Sequence, residues 1–187
     1  MLRAWQDIRD RYPRALLILA PRHPVRFEQV AQLLSDQKRR FVRRTALETA
    51  REERVSQLAS PEILLLNTIG ELAGLLQAAD VVFIGGSLVP TGGHNLLEPA
   101  FWGKPVVFGP HMHNFRDAAE RFLRAGAAVQ VQSPAHLAAE CIRLFGDAKR
   151  REALGGRARR VLEEESGATQ RILERLRVSE FLVTSDR

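Results

Sequence analysis

Gly85-Gly86-Ser87-Leu88-Val89-Pro90-Thr91-Gly92-Gly93-His94-Asn95-Leu96-Leu97-Glu98-Pro99 decides how this chain is read. The run Val81-Val82-Phe83-Ile84 before it is continuously apolar and predicts a buried strand. The stretch from Leu96 to Trp102 after it predicts a short helix. Four glycines therefore occupy a strand-to-helix loop at the carboxyl end of a strand, the place where open α/β sheets bind ligands. Glycine lets backbone N–H groups approach an anion closely, and a helix start adds partial positive charge. The segment reads as a holder of something phosphorylated.

Working outward, apolar runs alternate with helical patterns. Leu2 to Arg11 predicts a helix, Ala15 to Ala20 a buried strand and Phe27 to Leu34 a helix. Arg40 to Thr45 predicts a short strand and Ile63 to Leu66 another, with a helix from about Gly70 to Gln77. Pro105 to Phe108 predicts a strand, Phe115 to Arg124 a helix and Ala127 to Val131 a strand. Ser133-Pro134 is a helix-start signal, and the chain reads as helical from there to about Phe181, in segments including Asp147 to Glu165 and Thr169 to Leu182. Repeated β-α-β defines an α/β protein with a doubly wound parallel sheet. Residues 1–187 are expected to form one domain, with 134–187 a helical tail that wraps the sheet or docks elsewhere.

Composition narrows the function classes. A chain of 187 residues with 45% hydrophobic content can bury one sizeable core. The lone Cys141 excludes an internal disulfide and, in a helical apolar setting, reads as a core thiol. No run approaches a membrane span, and charges interrupt the start, so no secretory signal is expected. The net charge of +6 suits anionic partners, but aromatics make up only 6%, too few for a base-stacking surface. Nucleic acid is not expected as a partner.

Four loops are expected on the carboxyl rim of the sheet: Pro21-Arg22-His23-Pro24, then Asn67 to Glu71, then the glycine loop, then Gly109 to Asn114. Arg22 suits a phosphate because its planar fork bonds two oxygens. Glu71 or Glu98 suits ribose hydroxyls. Each has a plainer reading. Asn95-x-x-Glu98 is also a helix capping box, and a capped helix start can still hold an anion. Pro21 to Pro24 is also an ordinary turn, and His94 a loop histidine bonded to backbone. His111 and His113, two apart, would not share a helix face, and a zinc site lacks further ligands. Neither a metal nor a cofactor is expected. The basic run Lys38 to Arg44 reads as a solvated edge strand charged against edge pairing, in preference to a contact with anionic lipid or an acidic acceptor's phosphates. Arg150, Arg151, Arg157, Arg159 and Arg160 with Glu163 to Glu165 read as an exposed helix with acid–base pairs.

The four loops, in this order and spacing, resemble the C-terminal domain of the 3-deoxy-D-manno-octulosonic acid (Kdo) transferases of lipopolysaccharide synthesis. The residues carrying the resemblance are Ala20 to Pro24 with Arg26-Phe27, Thr68 to Leu72, Ala79-Asp80, Phe83 to Val89, Gly92 to Ala100, Gly103 to Val106, Gly109 to His111 and Asn114-Phe115. Asn67 and Ile69 stand where the family more usually has Asp and Met. The resemblance implies the Rossmann-like C-terminal half of a GT-B glycosyltransferase that moves Kdo from CMP-Kdo to a lipid A precursor, peripherally on the cytoplasmic side of the inner membrane. It implies donor contacts from Pro21, Arg22, Ile69, Gly70, Glu71, Asn95, Leu96, Leu97 and Glu98. Further phosphate or sugar contacts are expected from Gly86, Ser87, Gly92, Gly93, His94 and His111. The family's catalytic glutamate and membrane-anchoring segment belong to its N-terminal domain, and its first C-domain strand is not seen here, so this chain alone is expected to transfer nothing. The alternatives are a non-catalytic nucleotide-binding module and a GT-B half using another donor such as a UDP-sugar.

Overall fold

The computed structural model of the protein describes residues 1–49 and 61–164. The helix expected over Thr169 to Leu182 lies outside these residues. The chain packs as two compact units, Met1–Ala78 and Ala79–Arg187.

The first unit runs α1 (Leu2–Arg11), β1 (Leu17–Leu19), α2 (Arg26–Asp36), β2 (Phe41–Arg43), α3 (Arg44–Thr49), β3 (Ile63–Leu65) and α4 (Leu72–Leu76). Its three strands form a parallel sheet in the order β1-β3-β2, with Leu19 and Arg43 both level with Leu65. The middle strand is buried at all three positions, because it is covered by neighbours on both sides. β1 was expected to be buried, yet all three of its residues are half-exposed, because it lies at an edge of this sheet. Trp5, Ile8, Leu34, Ile63 and Leu65 form the core. α1 is locked down by polar bonds as well: Arg9 donates to the Ala15 carbonyl (2.7 Å), and Arg9 and Arg39 flank the nearly buried Glu62 at 3.9 Å each.

The second unit runs β4 (Val82–Phe83), α5 (Leu97–Phe101), β5 (Val106–Phe108), a 3-10 turn (His113–Phe115), α6 (Arg116–Arg124), β6 (Ala128–Gln130), α7 (Pro134–Gly146) and α8 (148–164). Its sheet is again parallel, in the order β4-β5-β6, and again only the middle strand is fully buried. Strand β4 was expected to be buried and is half-exposed, for the same edge reason. The expected single sheet is thus described as two three-stranded parallel sheets, and the α/β class with parallel strands and intervening helices stands.

The start of α7 follows its sequence signal. Ser133 is the N-cap, its Oγ accepts from the His136 N–H at 3.1 Å, and Pro134 opens the first turn. The described part of the tail does not stay exposed. α8 buries Leu154, Gly155, Ala158 and Val161, and Ala158 and Val161 join a core with Ile84, Leu96, Phe108 and Phe122. Gly155 lies so close to the Gly103 carbonyl that a Cβ would stand 1.8 Å from the oxygen. The expected acid–base pairing appears in Arg159–Glu163, at 3.0 Å. Inside, Glu140 is 2% exposed and is satisfied by Arg150 and Arg143. Burial, with Glu140 beside it, pushes the neighbouring Cys141 thiol up to about 12, so this cysteine packs and does not react.

Phe122 is completely buried while its neighbour Leu123 is 36% exposed. Phe122→Ala is expected to lower stability by about 3–5 kcal/mol, and Leu123→Ala by less than about 1 kcal/mol, in urea denaturation.

Candidate functional site

Parallel strands place every carboxyl end of a sheet on one rim, so each unit offers one rim of loops. On the first, β1 delivers Pro21 to Pro24, β2 delivers Arg44, and β3 delivers Asn67 to Glu71. Arg22 is exposed on the turn into α2, where the Arg26 N–H donates to the His23 carbonyl at 2.9 Å. Ile69 is 70% exposed. Gly70 has φ +90, a conformation that favours glycine, and no heavy atom stands within 4 Å of where a Cβ would sit. That backbone is open to close approach.

Glu71 is not an isolated carboxylate. The Arg44 Nε donates to its Oε2 at 2.6 Å, with both side chains about one-third exposed or less. A pair this exposed contributes at most about 1 kcal/mol to stability. Beside it, the Thr45 N–H donates to Asn67 Oδ1 (3.2 Å) and Asn67 Nδ2 donates to Thr45 Oγ1 (2.9 Å). Asn67 thus pins the start of α3 to the β3–α4 loop. The basic run is therefore an edge strand, as expected, but its charges are largely paired. Arg39 meets Glu62, Arg43 meets Glu28, and Arg44 meets Glu71. The bond from Arg43 holds the Glu28 carboxyl below its usual range and raises Arg43 in turn.

On the second rim the glycine loop and the loop after β5 are stitched together. Ser87 is fully buried. Its hydroxyl donates to the Ile84 carbonyl (2.6 Å) and accepts from the Gly109 N–H (2.7 Å), while its own carbonyl accepts from the His111 N–H (2.9 Å). The Ser87 hydroxyl thus ties the two loops together. The Gly93 N–H donates to the Gly86 carbonyl (3.3 Å), so it too is spent inside the loop. Gly92 and Gly93 are buried with φ +96 and +72, under Asn114 and Met112 respectively. The Asn114 N–H donates to the Gly92 carbonyl at 3.1 Å. The His94 ring lies against Gly85, 3.5 Å from where a Cβ would stand.

The helix start differs in register from a capping box. Leu96 is the N-cap; Asn95 precedes it, its Oδ1 accepting from the Leu97 N–H and its Nδ2 donating to Glu98 Oε1, both at 3.0 Å. Leu96 is completely buried and Leu97 packs against the same core, so these two expected donor contacts are anchors by their side chains. Asn95 and the exposed Glu98 remain on the rim. At five residues, α5 is too short for a large macrodipole. Sequence reasoning named Arg44 in the basic run and Asn114 in the fourth loop but missed what each bonds to. Their partners lie 27 and 22 positions away, Glu71 and Gly92, and no local pattern announces such pairs.

The fold is that of the Rossmann-like C-terminal half of a GT-B glycosyltransferase. It overlays with a TM-score of 0.76 on the crystal structure of the C-terminal CMP-Kdo binding domain of WaaA from Acinetobacter baumannii, at 29% identity, covering 86% of this chain and 80% of that one. No protein-family model matches the chain. It is 35% identical over 178 residues to the 3-deoxy-D-manno-octulosonic acid transferase of Haemophilus influenzae, a match covering 95% of this chain and 40% of that protein. With the Bordetella pertussis transferase the identity is 36% over 173 residues, covering 92% and 39%. The chain is a homologue of the Kdo transferases, spanning about two fifths of the length of these relatives. Among the described residues no helix is long and apolar enough to cross a membrane.

Gly109 lies on the Ser87 carbonyl, and a Cβ there would stand 2.2 Å from its oxygen, whereas nothing lies within 4 Å at Gly156 in α8. Gly109→Ala is expected to destabilise by at least about 2 kcal/mol through backbone displacement. Gly156→Ala is expected to stabilise by about 0.5–1 kcal/mol. Thermal melts of the two variants read the opposite signs.

Proposed function

We propose that this chain is the donor-binding part of a glycosyltransferase that moves Kdo from CMP-Kdo to a lipid A precursor. The observation that carries the reading is the overlay on a CMP-Kdo binding domain, at 29% identity and over 86% of this chain. In this account Arg22 binds phosphate, Pro21, Ile69 and the open Gly70 backbone line the nucleotide, and Glu71 takes ribose hydroxyls. On the second unit, Asn95, Glu98 and the backbone groups of Gly86, Gly92, His94 and His111 are the further donor contacts that the family resemblance implies. Ser87, Gly93, Leu96 and Leu97 build the rim.

In the reaction an acceptor hydroxyl attacks the anomeric carbon of Kdo. The bond from that carbon to the phosphate oxygen breaks, CMP departs with the electron pair, and the hydroxyl proton passes to a base outside this chain. Charge develops on the departing phosphate, where a guanidinium stabilises it more than it stabilises the ground state. The work of this chain is to bind and orient; a second GT-B domain supplies the base and the acceptor side, on the cytoplasmic face of the inner membrane.

Calorimetry on the purified chain tests the reading. CMP is expected to bind saturably and more tightly than UMP, with Arg22→Ala and Glu98→Ala each weakening it by about 10-fold or more, the scale of a lost charge-assisted bond. Equal binding of UMP would favour a different nucleotide-sugar donor. Absence of CMP binding by folded protein would contradict the assignment, and Kdo transfer by the chain alone would overturn the division of labour.

A further inference from the structure

Both rim carboxylates expected at the ribose already have partners, and the partners differ in kind. Glu98 is bonded by a neutral amide three residues away in the same loop, Asn95. Glu71 is bonded by a guanidinium from the start of α3, Arg44. Arg44 comes directly after β2, whose last residue Arg43 is level with Leu65, so it stands at the sheet rim. The Thr45–Asn67 bonds, one residue further along each segment, clamp the two backbones on either side of this pair. One ion pair and two hydrogen bonds thus converge on a single junction of a partly exposed loop.

We infer that Arg44 is a positioning residue, which fixes the Glu71 carboxylate in the one orientation that accepts from the vicinal hydroxyls of a ribose. The inference rests on the donor-site reading above. A glutamate has three side-chain torsions, and freezing them at binding costs affinity unless they are frozen beforehand. The Arg44 bond goes to Oε2 through Nε, which restrains that oxygen and narrows the torsions the carboxylate can sample. A pair placed for stability alone would gain little at this exposure. A pair placed for orientation gains selectivity, because a site built to hold a hydroxyl rejects the ligand that lacks it.

The test is calorimetric titration of the chain with CMP and with 2′-deoxy-CMP, for the wild type and for Arg44→Ala, Arg44→Lys, Glu71→Gln and the Arg44→Ala/Glu71→Gln pair, with circular dichroism confirming the fold of each. The wild type is expected to prefer CMP by about 10-fold, the scale of a hydrogen bond to a charged group. Arg44→Ala is expected to reduce that preference below about 3-fold, Arg44→Lys to restore most of it, and Arg44→Ala to add nothing in the Glu71→Gln background. Arg44→Ala with its ribose preference intact would overturn the inference. So would an equal loss for both nucleotides that persists in the Glu71→Gln background, since Arg44 would then contact the ligand itself. A wild type that binds neither nucleotide would defeat the donor-site reading and this inference together, whereas CMP binding with unchanged preference in Arg44→Ala defeats only the inference.

Discussion

Gly109 can lie against the carbonyl of Ser87 because it has no Cβ, and that approach lets the Ser87 hydroxyl reach the Gly109 N–H at 2.7 Å. The glycine loop inherits its shape from this junction. The Ser87 carbonyl takes the His111 N–H, the Gly92 carbonyl takes the Asn114 N–H, and Met112 and Asn114 close over Gly93 and Gly92. A long loop of this kind would ordinarily be mobile. Here its polar groups are satisfied by a second loop on the same rim, so the groups left facing outward are held in place. Leu96, sunk in the core just past the loop, fixes the other end. A donor site benefits from that rigidity, because orientation costs are met during folding and not during binding.

The positive balance of the chain looks, in composition, like a surface waiting for anions. Much of it is occupied internally. Arg39, Arg43 and Arg44 pair with glutamates from three different segments; Arg150 and Arg143 neutralise the buried Glu140; Arg151 donates to the carbonyls of Leu144 and Phe145, and Arg157 to that of Gly126. The last two contacts fasten α8 to elements that precede it. Guanidinium suits this task because one planar group serves several acceptors. Charge that fastens helices is unavailable for lipid or phosphate, so net charge is a poor guide to ligand here.

The order of elements was legible because the apolar runs are clean: Leu17–Leu19, Ile63–Leu65 and Val106–Phe108 are all strands within the stretches that periodicity marks, and Ser133-Pro134 opens its helix as its chemistry requires. What periodicity cannot tell is which strand lies in the middle. β1 and β4 are as apolar as β3 and β5, yet half-exposed, since pairing partners are set by tertiary structure. The loops that carry the motifs were legible by their glycines and their place after strands. The roles within them were less so. Ser87 and Leu96 read as ligand contacts because they sit in the right loop, and their burial shows that their side chains build that loop. Arg44 looked like solvated charge because its carboxylate is 27 residues away.

Hydrogen exchange followed by mass spectrometry, on the chain with and without saturating CMP, tests the central claim most directly. If the strand-end rims hold the donor nucleotide, exchange slows in peptides covering 20–24, 67–71 and 85–98, while the already buried middle strands β3 and β5 are unchanged. Protection confined to α1, α7 or α8, or none at all under saturating ligand, would contradict the account.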